Sequence, residues 1–193
     1  MENRVKQKKF VSLVLYLHNT QNEVVPFFQK VFPVFRDNFT NFEIVCVNDA
    51  CTDGTIGVLK EYLEENHCSE MVNIIHMSFF HGLESAMNAG RDLAIGDFIY
   101  EFDTAYVDYP SELIMEVYDK LLEGNDIVSA GTRDHVRMTS GFFYFCYNKT
   151  SRGRGKIGPE TFRIVSRRAI NRIKSIGQYI PYRKAVYLSL IHI

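Results

Sequence analysis

Two apolar runs in this chain lead into carboxylates. Phe42 to Val47 runs into Asn48-Asp49-Ala50-Cys51-Thr52-Asp53-Gly54, and Asp97 to Phe102 runs into Asp103-Thr104-Ala105-Tyr106-Val107-Asp108. If both runs are strands of one parallel sheet, their acids emerge along the same edge. That edge is where open α/β proteins bind nucleotides, because strand ends and helix starts leave backbone donors and side chains facing a crevice. A carboxylate closing a buried apolar strand, as Asp103 does, is hard to explain by packing alone and points to function.

The remaining pattern supplies the sheet. Phe10–Leu17 reads as a first buried strand and Asn22–Arg36 as a helix, with Pro26 in its first turn and Pro33 expected to kink or shorten it. A helix capped by Thr52 or Asp53 runs to about Asn66, and Met71–Met77 forms a third strand. His81–Ala94 reads as a helix, Pro110–Leu122 as another, and Asp126–Ala130 as a last short strand. Strands alternating with helices at this spacing predict a mostly parallel sheet with helices on both faces. With 193 residues, 46% of them hydrophobic, the chain suffices for one well-buried domain.

Cys46, Cys51, Cys68 and Cys146 show no Cys-x-x-Cys spacing, which predicts reduced thiols in a cytosolic setting rather than disulfides or zinc. The apolar run at Phe10–Leu17 is too short to span a membrane, and no signal peptide is expected in the polar start. Net charge is −1, but Lys149 to Lys174 holds nine basic residues against Glu160 alone. A basic segment beside an acidic crevice suits a diphosphate or a lipid phosphate; the plainer reading is a solvated basic helix. A nucleic-acid partner is not expected. The aromatic run Phe142–Tyr147 reads either as core or as an amphipathic element meeting a lipid or membrane surface.

The crevice excludes some tenants. The turn after the first strand, His18-Asn19-Thr20-Gln21-Asn22, has no glycine for a dinucleotide fingerprint, and no Walker phosphate loop occurs. Carboxylates suit nucleobase N–H groups, ribose hydroxyls or a hard cation bridging to a diphosphate, which together point to nucleotide-sugar chemistry.

At Glu43-Ile44-Val45-Cys46-Val47-Asn48-Asp49-Ala50-Cys51-Thr52-Asp53-Gly54-Thr55, at Gly82 to Gly90, and at Ala94-Ile95-Gly96-Asp97-Phe98-Ile99, the chain resembles the family-2 glycosyltransferases with the GT-A fold. Pro110-Ser111-Glu112-Leu113-Ile114, Glu123 to Val128, Gly131-Thr132-Arg133 and Thr161-Phe162-Arg163-Ile164-Val165-Ser166-Arg167 are similar to the polyprenyl-phosphate branch, the dolichol-phosphate mannose synthase type. The resemblance covers about residues 10 to 187. It implies an inverting transfer from a nucleoside-diphosphate sugar to a polyprenyl phosphate or another cell-envelope glycan or lipid acceptor, at the cytoplasmic face of the membrane with peripheral contact to it.

The same resemblance implies residue roles. Donor binding falls to Asn19, Asn48, Asp49, Gly82, Asn88 and Asp103, with Asp49 accepting from the base and Asp103 at the ribose and diphosphate. Phosphate binding falls to Arg163 and Arg167, and the catalytic candidates are Asp103, Asp108 and Glu160. Mg2+ or Mn2+ is implied at Asp103, yet Ala105 and Val107 stand where relatives place further metal ligands. A site short of two ligands leaves such an ion to water and phosphate. Either Asp108 compensates, or the basic segment replaces the ion. A non-catalytic nucleotide-binding or scaffold descendant is therefore the rival reading.

Among residues with plainer explanations, Asp53 reads as a helix cap, His81 as a solvated loop histidine, and Gly82, Gly90 and Gly96 as backbone-permissive or close-packing positions. The final six residues, Leu188 to Ile193, back-translate into a common transposon-end adapter. The expected organisation is therefore one GT-A domain over 1–187, truncated at its C-terminus, with 188–193 a non-native tail.

Overall fold

The computed structural model describes residues 5–131, 160–175 and 182–190. The aromatic run 142–147, Cys146, the basic residues 149–156, Thr132-Arg133, Ile180-Pro181 and the last three residues lie outside them. Within the described residues the order is β1 (Gln7–Leu17), α1 (Val24–Asn38), β2 (Phe39–Asn48), α2 (Thr55–Glu65), a 3-10 turn (Ser69–Met71), β3 (Val72–His76), α3 (Leu83–Leu93), β4 (Phe98–Phe102), α4 (Leu113–Leu122), β5 (Ile127–Ala130), β6 (Phe162–Ser166), α5 (Arg167–Ser175) and α6 (Arg183–Leu190).

The strands form a six-stranded sheet in the order β3-β2-β1-β4-β6-β5. β1 pairs in parallel with β2 and β4, and β2 with β3; β6 runs antiparallel to both β4 and β5. The expected mostly parallel sheet is present, and β6 is the strand that alternation did not predict. It runs against the other strands of the sheet, so no βαβ rhythm announces it.

Alternation along β1 sorts the two faces. Leu13, Leu15 and Leu17 join Phe27, Phe28 and Phe35 of α1, with Leu59 and Tyr118, in one buried cluster. Val14 points the other way, into Ala86 and Met87 of α3 and Ile170 and Ile173 of α5. At roughly 1.5–3 kcal/mol per fully buried large apolar side chain, these two layers supply the driving force for the sheet. Pro33 sits inside α1 without ending it. It costs one backbone hydrogen bond, and burial of Val31, Phe32 and Phe35 on either side keeps the helix intact to Asn38.

β1 lies between β2 and β4, with α1 and α2 on one face and α3 on the other, so the chain reverses its winding there. The crevice at such a reversal is the expected ligand position. Among the described residues no helix is long and apolar enough to cross a membrane.

Candidate active site

Four strand ends meet at this edge. Leu17 is in register with Asn48, Asn48 with His76, and Leu15 with Phe102. His18, Asp49, Met77 and Asp103 therefore leave the sheet side by side. Asn19 and Ala50 turn there with φ of 53° and 54°, a left-handed conformation that L-residues adopt at a cost.

The loops after β1 and β2 are tied to each other. Asn19 Oδ1 accepts the backbone N–H of Thr52 at 2.8 Å and of Asp53 at 3.3 Å. Thr20 N–H donates to the Thr55 hydroxyl at 2.8 Å, and Gln21 N–H to Asp53 at 3.2 Å. Asp53 also accepts from the Thr55 N–H at 3.0 Å, but the N-cap of α2 is Gly54, so Asp53 supports the first helical N–H from one residue outside the cap expected of it.

Asp49 does not face the crevice. It is 0% exposed; Oδ1 accepts from His81 N–H at 2.7 Å, and Oδ2 from Gly82 N–H at 2.9 Å and the Tyr16 hydroxyl at 3.1 Å. The carboxylate therefore fixes the entry to α3, where Gly82 has φ 81° and only glycine turns without strain. Burial first, then the hydrogen bond to Asp49, pushes the Tyr16 phenol above its ordinary value. Asn48 is engaged on both ends: Oδ1 accepts from Cys51 N–H at 2.9 Å, and Nδ2 meets His76 Nδ1 at 2.8 Å.

Asp103 is the centre of a buried ionic array. Arg163 donates to Asp103 Oδ2 at 2.7 Å, to Glu101 Oε2 at 2.9 Å and to Glu160 Oε2 at 2.8 Å. Arg183 donates to Asp103 Oδ1 at 2.7 Å, to Glu101 Oε2 at 2.8 Å and to Glu84 Oε2 at 2.8 Å. Each guanidinium thus bridges the same two carboxylates of β4, in the forked geometry that suits arginine. Tyr187 donates to Glu101 Oε1 at 2.5 Å and accepts from Arg91 at 3.1 Å.

Burial pushes the Asp103 carboxyl upward, but Arg163 and Arg183 outweigh it and hold it at about 2. Glu101, fully buried, is likewise pulled below its ordinary value against its desolvation by Arg183, Arg163 and Arg91. Both carboxylates are ionised at neutral pH, and Asp103 keeps 18% of its side chain open to the crevice.

The positions expected from sequence divide clearly. Asp103, Glu160 and Arg163 come together. Asn88 lies one helical turn after Glu84 on α3, and Gly82 starts that helix. Asp108 is exposed on the loop after β4 and takes no part in the described ionic array. Arg167 is corrected: it donates to the carbonyls of Gly96 at 3.0 Å and Ala94 at 2.5 Å, at the opposite end of β4. The reason is the direction of β6, whose antiparallel register pairs Phe162 with Phe102 but Ser166 with Phe98. Further along the basic segment, Arg168 pairs with Asp126 at 2.9 Å and Lys174 with Asp92 at 3.0 Å.

Sequence reasoning missed Glu101, Arg183, Glu84, Arg91 and Tyr187. Glu101 carried a signal, because an acid two residues before Asp103 in a buried strand lies on the same face and needs a partner. Arg183 carried none.

The residues do not fit a divalent ion in this arrangement. Both Asp103 oxygens already accept from guanidinium groups. Ala105 is fully buried in the core, and Val107 lines an apolar recess of about 180 Å³ with Pro26 and Tyr106. Among the described residues no three Asp, Glu, His or Cys side chains converge to hold a metal.

A family model described as Glycosyl transferase family 2 matches residues 12–187. An uncharacterised glycosyltransferase of Synechocystis is 30% identical over 185 residues, covering 92% of this chain and 56% of its own length. A prophage bactoprenol glucosyl transferase homologue of Escherichia coli is 29% identical, covering 91% of this chain and 58% of its own length. The chain thus spans a little over half the length of these relatives. Among solved structures, a mannosyltransferase of Pyrobaculum calidifontis in complex with GDP-Man and Mn2+ superposes with a TM-score of 0.65 at 16% identity, over 86% of this chain and 47% of that one. That likeness is one of fold, GT-A.

Proposed function

The chain belongs to glycosyl transferase family 2, and from that membership we propose that it moves a sugar from a nucleoside diphosphate to a polyprenyl phosphate, at the cytoplasmic face of a membrane. The observation that carries the reading is Asp103, an ionised, partly open carboxylate at the end of β4 beside the sheet's reversal point. The acceptor follows from the bactoprenol glucosyl transferase similarity.

In this reading an acceptor phosphate oxygen attacks the anomeric carbon from the face opposite the leaving group. The bond from that carbon to the diphosphate oxygen breaks, the configuration inverts, and the nucleoside diphosphate departs with the electron pair. A phosphate is already anionic at neutral pH, so no strong general base is required and Glu160 is free to orient Arg163. Asp103, partly open to the crevice and with a second acceptor site on each oxygen, accepts from the donor's ribose hydroxyls while keeping its arginines. Arg163, next to it, re-pairs from carboxylate to diphosphate as charge builds on the leaving group. No step is assigned to a divalent ion.

The test is transfer of labelled sugar from UDP- and GDP-sugars into polyprenyl phosphate, compared with Asp103→Asn. Transfer that falls at least a hundredfold in the variant, with thermal unfolding of both proteins still cooperative, supports the reading. A folded wild type that transfers from no donor overturns it in favour of the non-catalytic descendant, for which Ala105 and Val107 are the evidence.

A further inference from the structure

The two guanidinium groups on Asp103 duplicate each other. Arg163 donates to Asp103 Oδ2 and Arg183 to Asp103 Oδ1, both at 2.7 Å, and each also donates to Glu101 Oε2, at 2.9 and 2.8 Å. The side chains of Arg163, Arg183 and Glu101 are buried, so these charges are little screened. Two carboxylates therefore meet two cations, the charge that one divalent ion would bring to the end of β4. Such an ion, brought to either oxygen of Asp103, would meet a like charge already bonded to it.

The two arginines differ in how they are held. Arg163 Nε donates to Glu160 at 2.8 Å, three residues earlier in the irregular stretch that leads into β6. That acid belongs to Arg163's own segment and is partly open to water, so the two can shift together or part at small cost. Arg183 instead ties three elements together. It starts α6, its guanidinium reaches β4, and its Nε and its backbone N–H both donate to Glu84 Oε2 in the first turn of α3, at 2.8 and 3.1 Å. Arg183 is thus the fixed cation of the pair and Arg163 the exchangeable one.

We propose that Arg163 and Arg183 act as a divided cation in place of a divalent ion, Arg183 staying on Asp103 and Glu101 while Arg163 turns to the diphosphate. This rests on the donor reading above and adds Arg183 to it as a positioning residue. Were Arg163 the sole partner of both carboxylates, a diphosphate could draw it away only by leaving two desolvated charges unpaired. With Arg183 in place, Asp103 and Glu101 each keep a guanidinium when Arg163 leaves.

The experiment is calorimetric titration of UDP, UMP, GDP and GMP in EDTA and again in Mn2+. The proteins are the wild type, Arg183→Met, Arg183→Lys and the double variant Arg183→Met with Glu101→Gln, each held below its own Tm and checked for cooperative unfolding. The ratio of diphosphate to monophosphate affinity is the readout, because loosening α6 alone does not single out the second phosphate. In the wild type this ratio is the same in EDTA as in Mn2+. Arg183→Met lowers it about tenfold or more, the range of one hydrogen bond to a charged group. Arg183→Lys keeps the charge without the fork and holds the ratio within about threefold of wild type. The double variant removes one charge of each sign and recovers about threefold or more of the loss, which a merely structural role would not do. A wild type that binds the diphosphate only with Mn2+, or an unchanged ratio in folded Arg183→Met, overturns the divided cation and leaves the donor site standing. The wild-type comparison needs no variant, so it decides the matter even where Arg183→Met does not fold. A folded wild type that binds no nucleotide in either condition overturns both readings.

Discussion

Replacing Arg183 by Met isolates what the buried ionic array contributes. Arg183 is 0% exposed and donates through its side chain to Glu84, Glu101 and Asp103 at 2.7–2.8 Å. Met fills most of the volume and removes the charge, leaving Glu101 and Asp103 dependent on Arg163. Breaking a buried pair in this way costs about 3–5 kcal/mol, because the surviving carboxylates stay desolvated without their partner. For a chain of this size each kcal/mol moves Tm by about 2–4 °C, so Tm should fall by roughly 10 °C or more. Urea unfolding of wild type, Arg183→Met, Glu101→Gln and the double variant measures this. Both groups contact each other, so the double variant should lose at least ~1 kcal/mol less than the two single losses together. A loss under ~1 kcal/mol in Arg183→Met, or strict additivity, would refute the claim that the array is an electrostatic unit holding α6 to the sheet.

Asp103 should mark the acid limb of stability. Its folded-state pKa of about 2 lies below the ordinary 3.8, so the stabilisation is complete above about pH 4 and is lost as pH falls toward 2. That difference is worth about 2–3 kcal/mol, and Asp103→Asn should flatten that part of a urea stability-against-pH curve. Gly96→Ala should destabilise by about 1–3 kcal/mol, since its new Cβ would lie 2.6 Å from the Ser12 backbone nitrogen, with no flexible side chain to yield. Removing divalent ions with EDTA should leave nucleoside-diphosphate affinity in a calorimetric titration unchanged within error, because both Asp103 oxygens are held by guanidinium groups. A large loss of affinity on chelation would show that the array opens to admit an ion.

The fold was legible because its signals are local. Alternating Leu13, Leu15 and Leu17 in β1, the Phe-rich face of α1 and the acids closing β2 and β4 each follow from spacing within a dozen residues. The site was legible only in part. Asp103 could be picked out because a carboxylate at the end of an apolar strand is costly without a purpose. Arg167 was misplaced because the same short stretch carries Arg163 to one end of β4 and Arg167 to the other, and the direction of β6 is a tertiary fact. Arg183 lies 80 residues beyond Asp103, with no motif linking them.

The two acid-bearing strand ends differ in what they have to accept from. Asp49 takes backbone N–H groups and a phenol, neutral donors that belong to the protein and fix a loop. Asp103 takes two guanidinium groups, charged donors whose own remaining bonds go to Glu84, Glu101 and Glu160. Counting Arg91, four carboxylates face three guanidinium groups in that array, a balance that disfavours an added anion unless some pairs exchange. A diphosphate entering beside Asp103 must therefore draw Arg163 away from a carboxylate. Glu160 is the partner it gives up most cheaply, because it is partly exposed and water can solvate it, whereas Glu101 is fully buried. Glu160→Gln consequently should tighten nucleoside-diphosphate binding by freeing Arg163, while Glu101→Gln should weaken the fold instead. Calorimetry on the first and urea unfolding on the second separate the acid that tunes the site from the acid that builds it.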